Sequence, residues 1–313
     1  MNSNSYKKFF QIYEFASAKR KSIERWPSYY HRRYLEFLSY FELMPNKSIG
    51  KVLELGCGVG YQSAFLAQIS DEVIATDLPD EDLGSHSPGM LQAKNFHDNL
   101  NITNVRLMGC SAENLPFESN SFDMVYSSHV FEHIPDRNKA LSEIYRVLKP
   151  GGVHFCVVPT TGEKVYAFVN FYSYLISRTL VHSKRKCINF FKGSKVIQNT
   201  EITEKKVVGT SIMSDFPFPP PHGISKHYLN ELIEWTPSKW GRYLLSNGQF
   251  EMISQSSSQI NPLLSLLGAF IPKTATVIHG YTRKLELRLG KLPLFRSMGI
   301  NTVVVLRSLK KLQ

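Results

Sequence analysis

The segment Val52–Gly60, VLELGCGVG, constrains this chain more than any other stretch. An apolar run of strand character enters three alternate glycines, Gly56, Gly58 and Gly60, and a helical pattern follows at once. Glycine turns this tightly without a Cβ clash, and its bare backbone lets a ligand approach closely. Seventeen residues after Gly60, in VIATDLPD, a second strand ends on Asp77. A carboxylate at that point can accept both hydroxyl protons of a ribose. Turn and acid together call for an α/β fold with its ligand at the carboxyl ends of parallel strands.

The hydrophobic pattern extends that fold in both directions. Strands are expected over Lys51–Leu55, Glu72–Thr76, Val105–Met108, Phe122–Ser127 and Val153–Val158, with helices over Gln62–Ile69, Met90–Asn99 and Lys139–Leu148. Such alternation builds a parallel sheet with helices on both faces. After Pro159 the alternation stops. Residues 160–239 read as an inserted lid, with a helix at Val165–Leu180, a polar stretch, the stiff turn FPFPPPHG and a helix from Ser225 to Trp235. The pattern returns with a helix at Lys239–Ser246 and strands at Phe250–Ser254 and Thr302–Leu306. These last strands would pair antiparallel around a basic, apolar crossover. Before the sheet, residues 6–45 read as helices broken at Pro27-Ser28, and Met1–Ser5 as a frayed start.

A glycine turn alone is weak evidence, but further segments follow it in order: SAENLPF at Ser111–Phe117, FDMVYSSHVFEHIPD at Phe122–Asp136 and RVLKPGG at Arg146–Gly152. Dinucleotide-dependent dehydrogenases use G-x-G-x-x-G, whereas this chain has E-x-G-x-G-x-G from Glu54. The sequence resembles the class I S-adenosylmethionine-dependent methyltransferases, in their small-molecule branch. The resemblance implies a Rossmann-like, doubly wound sheet of seven strands with an antiparallel last strand. It divides the chain into an N-terminal helical cap (1–47), a cofactor-binding domain (48–159 and 240–313) and a helical lid after the fifth strand (160–239). It also implies the cofactor S-adenosylmethionine. Gly56, Cys57, Gly58 and Gly60 would form the turn against its methionine portion, and Glu54 would hold its ammonium group. Asp77 would bind the ribose and Leu78 would pack on the adenine. Ala112 and Glu113 would read the adenine edge, and Ser127 and Ser128 would lie beneath the sulfonium.

A sulfonium methyl is already electrophilic, so the protein must align an acceptor and exclude water. A hydroxyl acceptor also needs a base. The candidates are His129, Glu132, His133 and, on the Pro-rich turn, His222. Three have a plainer reading: Glu132 and His133 as residues that hold the following loop, and His222 as a cap or surface residue before the next helix. In related quinone-pathway O-methyltransferases, E-x-x-E-H at this position holds a divalent metal. Here His129 replaces the first glutamate, and no metal ligand is assigned.

Charge and cysteine content narrow the partners. The formal net charge is +11, and after Pro272 nine Lys and Arg residues face one acid, Glu286. With Lys184-Arg185-Lys186, this bias suits an anionic acceptor or peripheral attachment to an acidic membrane; it also suits a merely solvated basic face. Four scattered cysteines without C-x-x-C spacing read as reduced thiols. With no signal-like start and no apolar run of about 20 residues, the chain is expected to be cytoplasmic. The expected reaction is O-methylation of a small molecule or of a glycan or lipid-linked intermediate. Two rivals are a nucleic-acid methyltransferase, against which no N/D-P-P-Y/F/W or Pro-Cys motif is found, and a binding module that keeps the fold without catalysis. The sequence does not specify an oligomeric state.

Overall fold

The computed structural model describes residues 3–19, 49–79, 89–169, 221–258 and 272–311, together with 33, 34, 36–38, 43, 172 and 218. Helix α1 spans Ser3–Lys19, earlier than the frayed start expected from its polar first residues. The alternating core follows as β1 (Ile49–Leu55), α2 (Tyr61–Leu66), β2 (Ser70–Asp77), α3 (Gly89–Asn99), β3 (Val105–Gly109), β4 (Phe122–Ser128), α4 (Arg137–Val147) and β5 (Leu148–Pro159). Helical backbone runs over 161–169, and the rest of the expected Val165–Leu180 helix lies outside the described residues apart from Tyr172. The chain continues with α5 (Tyr228–Glu234), α6 (Pro237–Leu244), β6 (Phe250–Ser258), α7 (Pro272–Leu289), α8 (Pro293–Met298) and β7 (Asn301–Ser308).

The seven strands form one sheet in the order β3-β2-β1-β4-β5-β7-β6. All pairs from β3 to β5 are parallel, and β7 runs antiparallel to both β5 and β6. The doubly wound sheet with an antiparallel last strand is therefore as expected. Its reversal point lies between β1 and β4, where the chain first winds out to β3 and then returns. That crevice is where an open α/β sheet places its ligand.

Period-two alternation divides the strand side chains between two cores. Val52, Met124, Tyr126, Val303 and Val305 enter the core shared with α1 and α2. Leu53, Val125, Val304 and Leu306 enter the core shared with α4, Trp235 and Trp240 on the other face. Phe9 and Phe37 from the N-terminal segment meet Phe65 of α2, with ring centroids 5.7 and 4.7 Å away. The described part of residues 1–47 thus belongs to the sheet's own core.

Local signals account for several helix ends. Asp136 caps α4 by accepting from the Lys139 N–H at 3.0 Å. Thr236 caps α6, and Pro237 occupies its first turn, where no N–H is needed. The Trp240 indole then donates to the Pro159 carbonyl at 2.9 Å, tying α6 to the end of β5. Helices α7 and α8 fill the crossover between β6 and β7, for which the sequence pattern gave no element.

Candidate functional site

The glycine turn links β1 to α2, with left-handed backbone at Gly56, Gly58 and Gly60. A Cβ at Gly60 would lie 2.5 Å from His97 Nε2, and that same nitrogen sits 2.8 Å from the Gly60 carbonyl. At Gly58 a Cβ would meet nothing within 4 Å, and the residue borders a cleft. Gly60 is thus needed for packing inside the protein, and Gly58 keeps space clear beside the cleft.

The carboxylate of Asp77 does more than end β2. Its Oδ2 accepts from the Gly58 N–H at 2.6 Å and its Oδ1 from the Leu78 N–H at 2.9 Å. It fastens the turn to the neighbouring strand, as does the Cys57 N–H to the Thr76 carbonyl at 2.9 Å. One residue row deeper, Glu54 is buried and accepts a hydrogen bond from the Ser63 hydroxyl. Burial raises its carboxyl to about 8; the Ser63 bond opposes this rise and the Asp77 charge adds to it.

The cleft has a volume of about 270 Å³. Gly56, Gly58, Asp77, Leu78, Ala112 and Glu113 line one part, and His129 and His133 line its mouth. Glu54, Cys57, Gly60, Ser127 and Ser128 are not among the lining residues. Ser127 is buried with its Oγ 3.0 Å from His154 Nε2, and Ser128 donates to Glu36 Oε1 at 3.3 Å. The Glu113 side chain accepts from the Asp136 N–H at 2.9 Å, which joins the cleft wall to the start of α4.

His129 follows β4 directly and has a left-handed backbone, φ 58°, unusual for a residue with a side chain. Its N–H donates to the Val157 carbonyl at 3.0 Å. The ring lies between two carboxylates, with Nδ1 3.4 Å from Glu132 Oε1 and Nε2 3.5 Å from Glu36 Oε1. Glu132 is fully buried. Burial pushes its carboxyl up, but the His129 ring and the nearby His133 and His222 outweigh this and hold it below the usual range. His133 is half exposed, with Nε2 4.0 Å from Glu132 Oε1.

His222 reaches the same place from the other direction. Its ring centroid is 5.1 Å from that of His133. The prolines of FPFPPPHG were expected to fix this loop, but its first residues lie mostly outside those described. What holds it is Glu231 of α5, whose carboxylate accepts from the His222 N–H at 2.9 Å and the Gly223 N–H at 2.8 Å. Glu231 is fully buried and pairs with the buried Lys164 at 2.6 Å. The Ile224 N–H donates to the Glu132 carbonyl at 3.1 Å, and a Cβ on Gly223 would lie 2.5 Å from that oxygen. The loop is therefore seated on the His129–His133 segment. Although His222 has an open edge, crowding by neighbouring atoms lowers its imidazole to about 4, against the pull of the Glu132 and Glu163 carboxylates.

One ligand atom from each of His129, Glu132 and His222 lies within 4.8 Å of the others. The sequence singled out each residue without showing that these three meet. It missed Glu36, Lys164 and Glu231 altogether, since each stands in a helical stretch where an acid or lysine reads as solvated surface.

Residues 53–156, from β1 through most of β5, match a family model described as a methyltransferase domain. This span forms a class I S-adenosylmethionine-dependent methyltransferase domain. The ubiquinone/menaquinone biosynthesis C-methyltransferase UbiE of Haemophilus ducreyi is 36% identical over 102 residues, covering 33% of this chain and 38% of its own. A demethylmenaquinone methyltransferase of Staphylococcus saprophyticus is 35% identical over 121 residues, 37% of this chain and 48% of its own. The chain thus spans less than half the length of either relative. Among solved structures, YcgJ of Bacillus subtilis is similar over 88% of this chain and 98% of its own, at 16% identity and a TM-score of 0.44. The family match covers the methyltransferase domain's glycine turn, Asp77 and the His129–His133 segment, and excludes His222 and Glu36. Among the described residues, no helix is long and apolar enough to cross a membrane.

Proposed function

We propose that this protein transfers the methyl group of S-adenosylmethionine to a hydroxyl of a small-molecule, glycan or lipid-linked acceptor, with His133 as general base. The observation that carries this reading is that His129 and His133 line the glycine-turn cleft, with Glu132 behind both rings and His222 beside His133. The cleft suits the cofactor: Gly58 leaves open the volume a side chain would fill, and Asp77 and Leu78 stand where β2 ends. Gly56 and Gly58 would hold the methionine portion, Asp77 the ribose, and Leu78, Ala112 and Glu113 the adenine. Glu54, buried one row beneath the cleft lining, would hold the ammonium group through water. When bound, the cofactor supplies a methyl carbon that needs no further activation.

The protein's own part is to orient the acceptor and take its proton. His133 borders the cleft and keeps Nε2 toward the buried Glu132, which leaves Nδ1 for the hydroxyl proton. Glu132, held ionised, would orient the ring and stabilise the imidazolium that forms. His222, at about 4, is a weaker base and serves better as a wall of the acceptor space. The loop from 221 to 224 would help exclude water from the mouth. The relatives' names specify C-methylation in one case, but their alignments cover about a third of this chain, and His133 with its neighbours favours a hydroxyl acceptor.

A phosphate-bearing or lipid-linked acceptor is supported by α7 and α8. Tyr281, Leu285 and Leu294 are exposed there beside Lys284, Arg288 and Lys291, while the acid Glu286 is buried. Apolar and cationic groups on one surface suit an anionic interface.

The test is methyl transfer from labelled S-adenosylmethionine to a panel of hydroxylated sugars, sugar phosphates and lipid-linked sugars. His133→Ala should reduce turnover by about 10²–10⁴-fold, with S-adenosylhomocysteine affinity unchanged. Full turnover in His133→Ala would remove it as the base, and a product methylated on carbon or nitrogen would overturn the hydroxyl assignment.

A further inference from the structure

We infer that His129, Glu132 and His222 form a binding site for one divalent first-row transition ion, which fastens the lid loop to the end of β4. The three donor atoms lie within 4.8 Å of one another, and small side-chain rotations would bring them to the separation of about 3.3 Å that tetrahedral bonds of about 2 Å require. Two imidazoles and one carboxylate suit zinc or a similar borderline ion. Magnesium and calcium favour oxygen donors instead.

A second observation points the same way. Glu132 is fully buried, yet neither carboxylate oxygen has a hydrogen-bond partner, and the nitrogen of His129 that faces it is Nδ1, with Nε2 turned to Glu36. A buried ionised carboxylate without hydrogen bonds is costly, and such groups are ordinarily paired, bonded or bound to metal. The neighbouring His129 and His133 rings stand 3.4 and 4.0 Å away and give Glu132 no hydrogen bond of sound geometry. An ion between His129 Nδ1, Glu132 and His222 would satisfy the Glu132 carboxylate directly.

The supporting contacts are also in place. Glu231 grips the His222 and Gly223 amides and is itself held by Lys164. The Val157 carbonyl fixes the His129 backbone. His222 belongs to the lid, so this set differs from the contiguous E-x-x-E-H pattern and leaves His133 outside it. Metal occupancy would therefore link lid position to the sheet, and His133 would remain available as a base.

The test begins with the full chain freed of metal by chelator and dialysis. Zn²⁺ and Mg²⁺ are then titrated by calorimetry, and Co²⁺ by visible absorption, beside a separate S-adenosylhomocysteine titration of the same samples. The expected result is one Zn²⁺ per chain, a Co²⁺ spectrum of mixed nitrogen and oxygen ligation, and a higher Tm with Zn²⁺ than with equal Mg²⁺. His222→Ala and the near-isosteric Glu132→Gln should each weaken Zn²⁺ binding at least about tenfold, since even outer-shell partners carry about that much. His133→Ala should bind Zn²⁺ as the parent does. No binding, or binding kept by both His222→Ala and Glu132→Gln, overturns the site. Loss in His133→Ala with retention in His222→Ala overturns the ligand set. Because the cofactor is titrated separately, failure here is distinguishable from failure of the methyltransfer reading.

Discussion

Cofactor uptake should expel a proton from Glu54. Its carboxyl is raised to about 8 by burial, so at pH 7 about nine molecules in ten carry it protonated before the ligand arrives. An ammonium group beside Glu54 favours the ionised form, and binding must then release close to one proton. S-adenosylhomocysteine affinity should consequently rise about tenfold per unit between pH 6 and 7.5 and level off above 8. Calorimetry at pH 7 in buffers of different ionisation enthalpy would count the proton. Glu54→Gln should abolish both the release and the slope, and at pH 8 should weaken binding by about 1.5–3 kcal/mol. Stability without ligand gives an independent sign. A carboxyl raised on folding contributes stability that is full below its unfolded value and is lost as pH rises through about 8. The protein should therefore lose Tm from pH 5 to 8 relative to Glu54→Gln. An unchanged affinity slope in Glu54→Gln, or no buffer-dependent heat in the parent, would refute the reasoning.

Other substitutions probe different parts of the molecule. Asp77→Ala should weaken S-adenosylhomocysteine binding by about 1.5–3 kcal/mol by calorimetry, and should also lower Tm because the Gly58 and Leu78 amides lose their acceptor. Gly58→Val should abolish binding, since it adds bulk at the cleft to a residue at φ 51°. Glu231→Gln leaves the buried Lys164 with only the longer Glu163 contact at 3.6 Å and should cost up to about 3 kcal/mol in denaturant unfolding. Vesicles of anionic lipid should retain the protein more than neutral ones and release it as salt rises, and Lys284→Glu with Arg288→Glu should reduce that retention. Equal partitioning to both vesicle types would leave the basic face as solvated surface.

The sheet was legible because its signals are local: apolar runs at strand spacing, the glycine turn, and Asp77 at a fixed remove. Strand ends were less so. β5 begins at Leu148, ahead of the expected Val153, although the apolar spacing of Leu141, Ile144, Tyr145 and Leu148 extends the helical pattern to that residue. The crossover helices went unseen because their exposed apolar residues blur the amphipathic pattern. At the site, residues on one contiguous loop, His129 to His133, could be picked out from sequence. Their meeting with His222 could not, since it depends on Glu231 gripping two amides and on Gly223 fitting against the Glu132 carbonyl. Glu36 carries no local mark, and its place beside His129 follows from how the N-terminal segment packs.

The position of β7 has a consequence for biosynthesis. This strand emerges from the ribosome after the other six, yet it lies between β5 and β6, with Asn301–Leu306 buried. Until it is made, β5 and β6 each lack the partner that β7 provides, and each can pair wrongly with another copy. Its arrival closes both at once, and Lys310 then reaches back to the carbonyls of Arg146 and Leu148 at 2.8 and 2.7 Å. Translation stalled before residue 301 would leave the glycine turn and first five strands in place with the β5 edge uncovered.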